Sequence, residues 1–200
     1  MSDKNIRPVN PASSKEITRD YFDSLLLEMR LMDSGVPNTE FELYGKKFAT
    51  PIMTAALSHL GTFNPDLPNG MVMYGQAASM TDAVHWIGMG SDEEFEAVIR
   101  TGAPTIRIIK PYADEEKIFS MIRCAEKNGA LAVGMDIDHM FDLKGEKDIC
   151  MGEEMEVKSS ADLKRYIDST ELPFIIKGVL SVQDALKCAE IGVKGIVVSH

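Results

Sequence analysis

Six apolar runs recur along the chain, at 50–56, 83–87, 105–109, 132–136, 174–177 and 195–199. They are nearly continuous in apolar character and do not alternate. That is the pattern of parallel strands buried on both faces. Between most of them lie amphipathic stretches with helix-start signals. Ser91-Asp92-Glu93-Glu94 and Ser181-Val182-Gln183-Asp184 each set a serine three residues before an acid. Asp114-Glu115-Glu116 puts negative charge on a first turn, where the helix dipole favours it. Asn128-Gly129 and Ile191-Gly192 have the form of helix stops. Strands alternating with helices predict an α/β domain. Two architectures fit: an open doubly wound sheet, or part of an eight-stranded (β/α) barrel. The first strand-to-helix connection, "SHLGTFNPDLPNG", has no G-x-G-x-x-G, which weighs against the dinucleotide fold.

Ahead of the runs, residues 1–14 are polar and hold two prolines, and they read as a loose arm. From Ser14 to about Met32, Ile17, Tyr21, Leu25 and Leu26 recur at helical spacing. "FELYGKKFATPIM" reads as a short strand, a Gly turn and the lead into the next strand. The expected division is an N-terminal arm and helix at 1–40 and a barrel-like part at 41–200.

The net charge of −10 repels nucleic acid and anionic membranes, so neither is an expected partner. No apolar run approaches membrane-spanning length. Cys124, Cys150 and Cys188 are scattered, without metal-ligand spacing, and fit a reducing cytoplasm. The thirteen methionines read as core gap-fillers.

In either parallel architecture, ligands bind at the carboxyl ends of the strands. The first run offers Ala55, Ala56, Leu57, Ser58 and His59 there, and the second His85 and Trp86. The later runs offer Lys110 and Tyr112, then Asp136, Asp138 and His139, then Lys177, and last Ser199 and His200. A lysine at a strand end can snorkel to solvent. Lys177, at the rim of a buried strand, calls for a partner or a ligand. The histidines read as loop or rim residues. Asp136 and Asp138 alternate, so one is expected to face the barrel and the other the helices; hydrogen-bonding roles are preferred to a metal pair. Ser58 beside His59 makes no hydrolase, because the G-x-S-x-G elbow is missing.

At the last two runs, "LPFIIKGVLSVQDALKCAEIGVKGIVVSH" resembles the FMN-dependent α-hydroxy-acid oxidases and dehydrogenases, of the glycolate oxidase and lactate oxidase type. Their pattern there is V-K-G, a helix, and then a hydrophobic strand ending in S-N-H-G. "GKKFATPIMTAALS" resembles their first barrel strand with its P-T-A turn, "IRIIKPY" a third strand ending in Q-x-Y, and "GALAVGMDID" a fourth ending in T-V-D. The resemblance implies an incomplete (β/α)₈ TIM-type barrel, with about six of eight strands present, and FMN across its mouth. It implies that Ala55, Ala56, Leu57, Lys110, Asp136, Lys177 and Ser199 contact the flavin, Lys177 at its N1/C2 carbonyl edge. It makes Tyr112 a catalytic and substrate-binding residue and Tyr21 a second substrate-binding one, the substrate a small 2-hydroxy acid oxidised to a 2-oxo acid, and a homo-oligomer possible.

The chain departs from that family at chosen points. The P-T-A turn is Ala56-Leu57-Ser58, the glutamine is Lys110, and the threonine is Asp136. The substrate-binding arginine after the fourth strand has no counterpart in 139–158. The family's catalytic base is the second residue after the serine, whereas His200 is the first; either the base is missing, the preferred reading, or His200 replaces it as a catalytic residue after a one-residue shift. The expectation is therefore a piece of a longer barrel that binds FMN loosely and is inactive by itself. Two rivals stay open: an aldolase-type barrel with a Schiff base on Lys177, and a non-catalytic barrel remnant.

Overall fold

The structure is a computed structural model that describes residues 13–62, 64, 66–142 and 144–199. The chain divides into two compact units, up to Asn38 and from Thr39 onward. The first holds helix α1 (Ser14–Ser24), capped by the Ser13 side chain, which accepts from the Glu16 amide at 3.2 Å. The helix ends sooner than expected, at Ser24 and not near Met32. Ser24 Oγ donates to the Tyr21 carbonyl at 2.6 Å and competes with the next helical turn. Leu25 is already extended, with ψ 131°. The expected loose arm at 1–14 lies outside the described residues except for Ser13 and Ser14, which start this helix.

The second unit opens with an antiparallel hairpin, β1 (Phe41–Leu43) and β2 (Lys46–Phe48). Tyr44 and Gly45 turn it, both with positive φ, as a two-residue hairpin loop requires. Next come α2 (Gly70–Met80), β3 (His85–Ile87), α3 (Asp92–Ile99), β4 (Thr105–Ile109), α4 (Glu115–Lys127) and β5 (Ala132–Asp136). A second hairpin, β6 (Ile149–Cys150) and β7 (Glu153–Glu154), interrupts the alternation. Then α5 (Ser160–Asp168), β8 (Phe174–Lys177), α6 (Val182–Ile191) and β9 (Gly195–Val197) complete the described chain.

Among the described residues, β3, β4, β5, β8 and β9 form one parallel sheet in that order. Every residue of β4 and β5 is buried, as expected of strands covered on both faces. On the outer face Ile109, Val133, Met135, Phe174 and Ile176 pack with Phe95, Ile118, Ile122, Leu163 and Tyr166 of the helices. On the inner face Ile106, Ile108, Ala132 and Ile175 pack with Phe48, Phe41 and Leu43 of the first hairpin. The sheet does not close, so the molecule is an incomplete barrel. The expected caps are present: Ser91, Asp114 and Ser181 each accept from an amide three residues on, and Gly192 ends α6 with φ 92°.

One expected strand is not regular. Residues 50–56 run beside β3 without forming a ladder. Pro51 has no amide to give, and the Trp86 amide donates to Thr54 Oγ1 (2.8 Å) in place of a backbone carbonyl. What remains is the Thr54 amide on the Val84 carbonyl at 3.1 Å and the Gly88 amide on the Leu57 carbonyl at 2.9 Å.

Past β8, the chain turns at Gly178 with φ 97°. A Cβ there would stand 3.0 Å from Asp138 Cβ and 3.1 Å from the Asp138 amide nitrogen. Gly178→Ala is expected to cost about 1–3 kcal/mol of folding stability through the strained backbone. Urea denaturation checks this; a change below about 0.5 kcal/mol would place the turn outside the rigid core.

Candidate functional site

Side chains alternate across a strand, so parity decides what meets at the mouth. Ile106 and Ile108 face inward, and the next inward position is Lys110. The same count from Ala132 reaches Asp136, and from Ile175 it reaches Lys177. Asp136 and Lys177 are direct partners in the register of β5 and β8. The three therefore converge at the carboxyl ends of adjacent strands. Lys110 Nζ donates to Asp136 Oδ2 at 2.8 Å. Lys177 Nζ reaches Oδ1 at 3.2 Å and Oδ2 at 3.1 Å. Lys110 and Asp136 are buried, with 8% and 4% of their surface exposed. Burial works against the charge on Asp136. A hydrogen bond with Asp138 and the two ammonium groups outweigh it, and hold Asp136 well below the usual carboxylate range.

Asp138 was expected on the opposite face from Asp136, yet both contact the same lysine. Asp138 Oδ2 lies 3.5 Å from Lys177 Nζ. The alternation fails because β5 ends at Asp136 and the chain then turns. Burial and the adjacent Asp136 carboxylate push Asp138 upward. His139 borders it at 3.7 Å and pairs with Asp148 at 3.2 Å. Asp136, Asp138 and His139 bring possible ligand atoms within 4.8 Å of one another. Both oxygens of Asp136, however, already accept from ammonium groups.

Beside Lys177 opens a cavity of about 700 Å³, lined by Ala55, Ala56, Leu57, Trp86, Lys177 and Ser199, among others. That volume is in the range of small-molecule sites. Ser199 Oγ is buried there without a hydrogen-bond partner among the described residues. The wall at 54–57 is held from behind. His85 Nδ1 lies 3.0 Å from Thr54 Oγ1, and the Ala55 amide donates to the Tyr74 hydroxyl at 2.9 Å. The Tyr74 ring stands edge-on to His85, with centroids 5.0 Å apart. Gly88 lets this segment approach: a Cβ would sit 2.4 Å from Ser58 Oγ and 2.8 Å from the Ala56 carbonyl oxygen.

His85 is fully buried, and burial lowers its pKa to about 4. Between pH 4 and 6.5 the unfolded chain then binds a proton that the folded chain does not. Stability is expected to fall as pH drops through that window, by up to about 1.4 kcal/mol per unit. His85→Gln should flatten the slope between pH 7 and pH 5 in denaturant titrations. Equal slopes in the two proteins would show that His85 is not the group responsible.

Three other expected site residues of the second unit lie elsewhere. Lys110 and Asp136 do not line the cavity; they stand behind Lys177. Tyr112 is buried in the outer core, its ring 4.2 Å under Lys117 Nζ. It lines a separate pocket of about 470 Å³ with His59, Ser91 and Glu153. Burial, then the charge of Glu153, pushes its hydroxyl up to about 12. Pro111 breaks the strand parity just before it, which is why Tyr112 leaves the inner face. Tyr21 is on α1, in the first unit, and His200 lies outside the described residues. Trp86, His85, Thr54 and Tyr74 carry no site role in the sequence reading. Inward parity from Val84 points to Trp86, but the other three show only through long-range contacts.

The model of one family, described as FMN-dependent dehydrogenase, matches residues 10–162 and 150–200. Glycolate oxidase of Spinacia oleracea is 24% identical over 221 residues, covering 91% of this chain and 58% of that protein. 4-Hydroxymandelate oxidase of Amycolatopsis orientalis is 23% identical, covering 85% of this chain and 56% of its own. An FMN-dependent alpha-hydroxy acid dehydrogenase of Schizosaccharomyces pombe is 25% identical, with 88% and 55% covered. This chain thus spans little more than half the length of the curated relatives it matches. Among solved structures, mandelate oxidase with 3,3-difluoro-2-hydroxy-3-phenylpropionic acid superposes with a TM-score of 0.75 at 22% identity. That match covers 90% of this chain and 57% of that one. Mandelate oxidase with benzoyl-formic acid gives 0.72 at 23% identity, with 86% and 54% covered. The family model matches most of the chain, and the incomplete barrel is in keeping with it: this chain belongs to the FMN-dependent dehydrogenase family.

Proposed function

We propose that this chain supplies the flavin-binding wall of an FMN-dependent oxidoreductase that oxidises a small 2-hydroxy acid to a 2-oxo acid. One observation carries the proposal. Five residues expected at a flavin, Ala55, Ala56, Leu57, Lys177 and Ser199, line a single cavity. The lining fits such a group. It has an apolar wall, an ammonium at one edge, and a buried hydroxyl of Ser199 that lacks a partner among the described residues. When bound, FMN supplies a two-electron acceptor. The chain's own residues do the rest. The 54–57 segment and Trp86 form an apolar wall that excludes water. Lys177 holds positive charge at the edge of the cavity, where negative charge on a ligand is stabilised. Ser199 Oγ offers a hydrogen bond from the β9 side.

The Schiff-base reading of Lys177 is not favoured. The matching family is flavin-dependent, and Lys177 is engaged by both oxygens of Asp136. No substrate contact is assigned to Tyr112, which is buried away from the cavity.

Trp86 lines the cavity and is the chain's single tryptophan, so its emission reports on this site alone. Adding FMN to the purified chain is expected to quench it, with a midpoint of about 1–100 μM. No quenching at about 1 mM, a free energy weaker than about −4 kcal/mol, would overturn the proposal.

A further inference from the structure

The three charged strand ends are arranged in depth. Lys110 stands behind, Asp136 in the middle, and Lys177 in front, where it alone of the three lines the cavity. Asp136 receives Lys110 on Oδ2 at 2.8 Å and Lys177 on both oxygens at 3.1 and 3.2 Å. Asp138 adds a second carboxylate 3.5 Å from the same Lys177 ammonium. A carboxylate as buried as Asp136 does not stay ionised without compensation. Lys110 supplies that compensation from the side away from the cavity.

We infer that Asp136 is the resident counter-ion of Lys177, and that Lys110 is a positioning residue that keeps Asp136 ionised and aimed at it. Asp136 and Lys110 occupy the two positions where this chain exchanges a neutral pair, threonine and glutamine in the resemblance, for a charged one. The two charged residues stand in contact, Lys110 Nζ on Asp136 Oδ2 at 2.8 Å. The consequence concerns ligand choice. The cavity presents a screened cation and not a bare one. It favours a neutral, dipolar ring carbonyl at Lys177 over a compact free anion such as sulfate, which must compete with Asp136 and Asp138. The pairing rests on geometry alone; the ligand preference rests on the flavin reading above.

The test is competitive acetylation of the whole chain with acetic anhydride at pH 8, following the Lys177 peptide by mass spectrometry. Asp136→Asn removes the carboxylate that the two ammonium groups share and leaves the longer contact of Lys177 with Asp138 at 3.5 Å. Lys177 acetylation should rise by about tenfold or more. Lys110→Met takes away the cation that keeps Asp136 ionised and aimed, so the rate should rise too, by less than in Asp136→Asn, and Lys110→Arg, which keeps the charge, should return it toward wild type. A merely structural role would loosen the strand ends in Lys110→Arg as much as in Lys110→Met, and equal rates in those two variants would overturn the inference. So would an unchanged rate, within about twofold, in Asp136→Asn. If Lys110→Met does not fold, the double variant Lys110→Gln, Asp136→Asn strands no charge. It should show the fast rate, and a wild-type rate there would overturn the inference. The same proteins are titrated with FMN through Trp86 emission. The acetylation pattern without FMN quenching supports the counter-ion while overturning the flavin reading.

Discussion

Lys110→Met is expected to destabilise the fold by about 3–5 kcal/mol, the usual cost of removing one partner from a buried ion pair. The pair at 2.8 Å is almost fully enclosed. Lys110 gives Asp136 its shortest contact, and the more exposed Lys177 does not replace it. The double variant Lys110→Gln, Asp136→Thr strands neither partner of that pair and should recover most of the loss. A double-mutant cycle in urea, at constant pH, measures the coupling directly. Additive losses would mean that the two side chains act separately. Acid should mimic the lesion. The folded pKa of Asp136 is depressed below 3.8. Its contribution is therefore complete above that value and fades as pH falls through the folded value.

Ala56→Phe is expected to weaken FMN binding by tenfold or more while leaving the fold intact. Ala56 is half-buried in the wall of the cavity. A phenyl ring would project from a position that the flavin is proposed to cover. Steric exclusion of a planar ring removes its buried apolar area, about 25 cal/mol per Å², with no compensating contact. Trp86 quenching reads the affinity, and urea denaturation checks the fold. Undiminished FMN binding in a folded Ala56→Phe would move the flavin elsewhere on the surface.

The strands at 105–109, 132–136 and 174–177 are legible to the residue, because fully buried parallel strands are apolar throughout and are bounded by turn residues. The run at 50–56 is equally apolar, yet it is not a regular strand. Whether a hydroxyl such as Thr54 takes over a ladder bond depends on its distance from Trp86, and composition does not report that. The early stop of α1 has a similar cause, a local bond from Ser24. At the site, Lys177 was readable as a lysine in need of a partner. That Asp136 would be the partner required the register between β5 and β8, a relation between segments 41 residues apart. That Tyr112 would sit in the outer layer was not legible, because the chain turns tightly at Pro111, with the Tyr112 amide on the Lys110 carbonyl at 2.8 Å.

The Lys110–Asp136–Lys177 contact also joins three neighbouring strands where their ladders stop. Strand ends ordinarily fray one at a time. Here, to open β4, β5 or β8 separately would pull a buried charge from its partner. The Ile137 amide on the Lys177 carbonyl (2.9 Å) and the Gly178 amide on the Val197 carbonyl (3.1 Å) lie just past that junction. The mouth of the sheet is thus expected to open as one cooperative unit, its amides exchanging with solvent together.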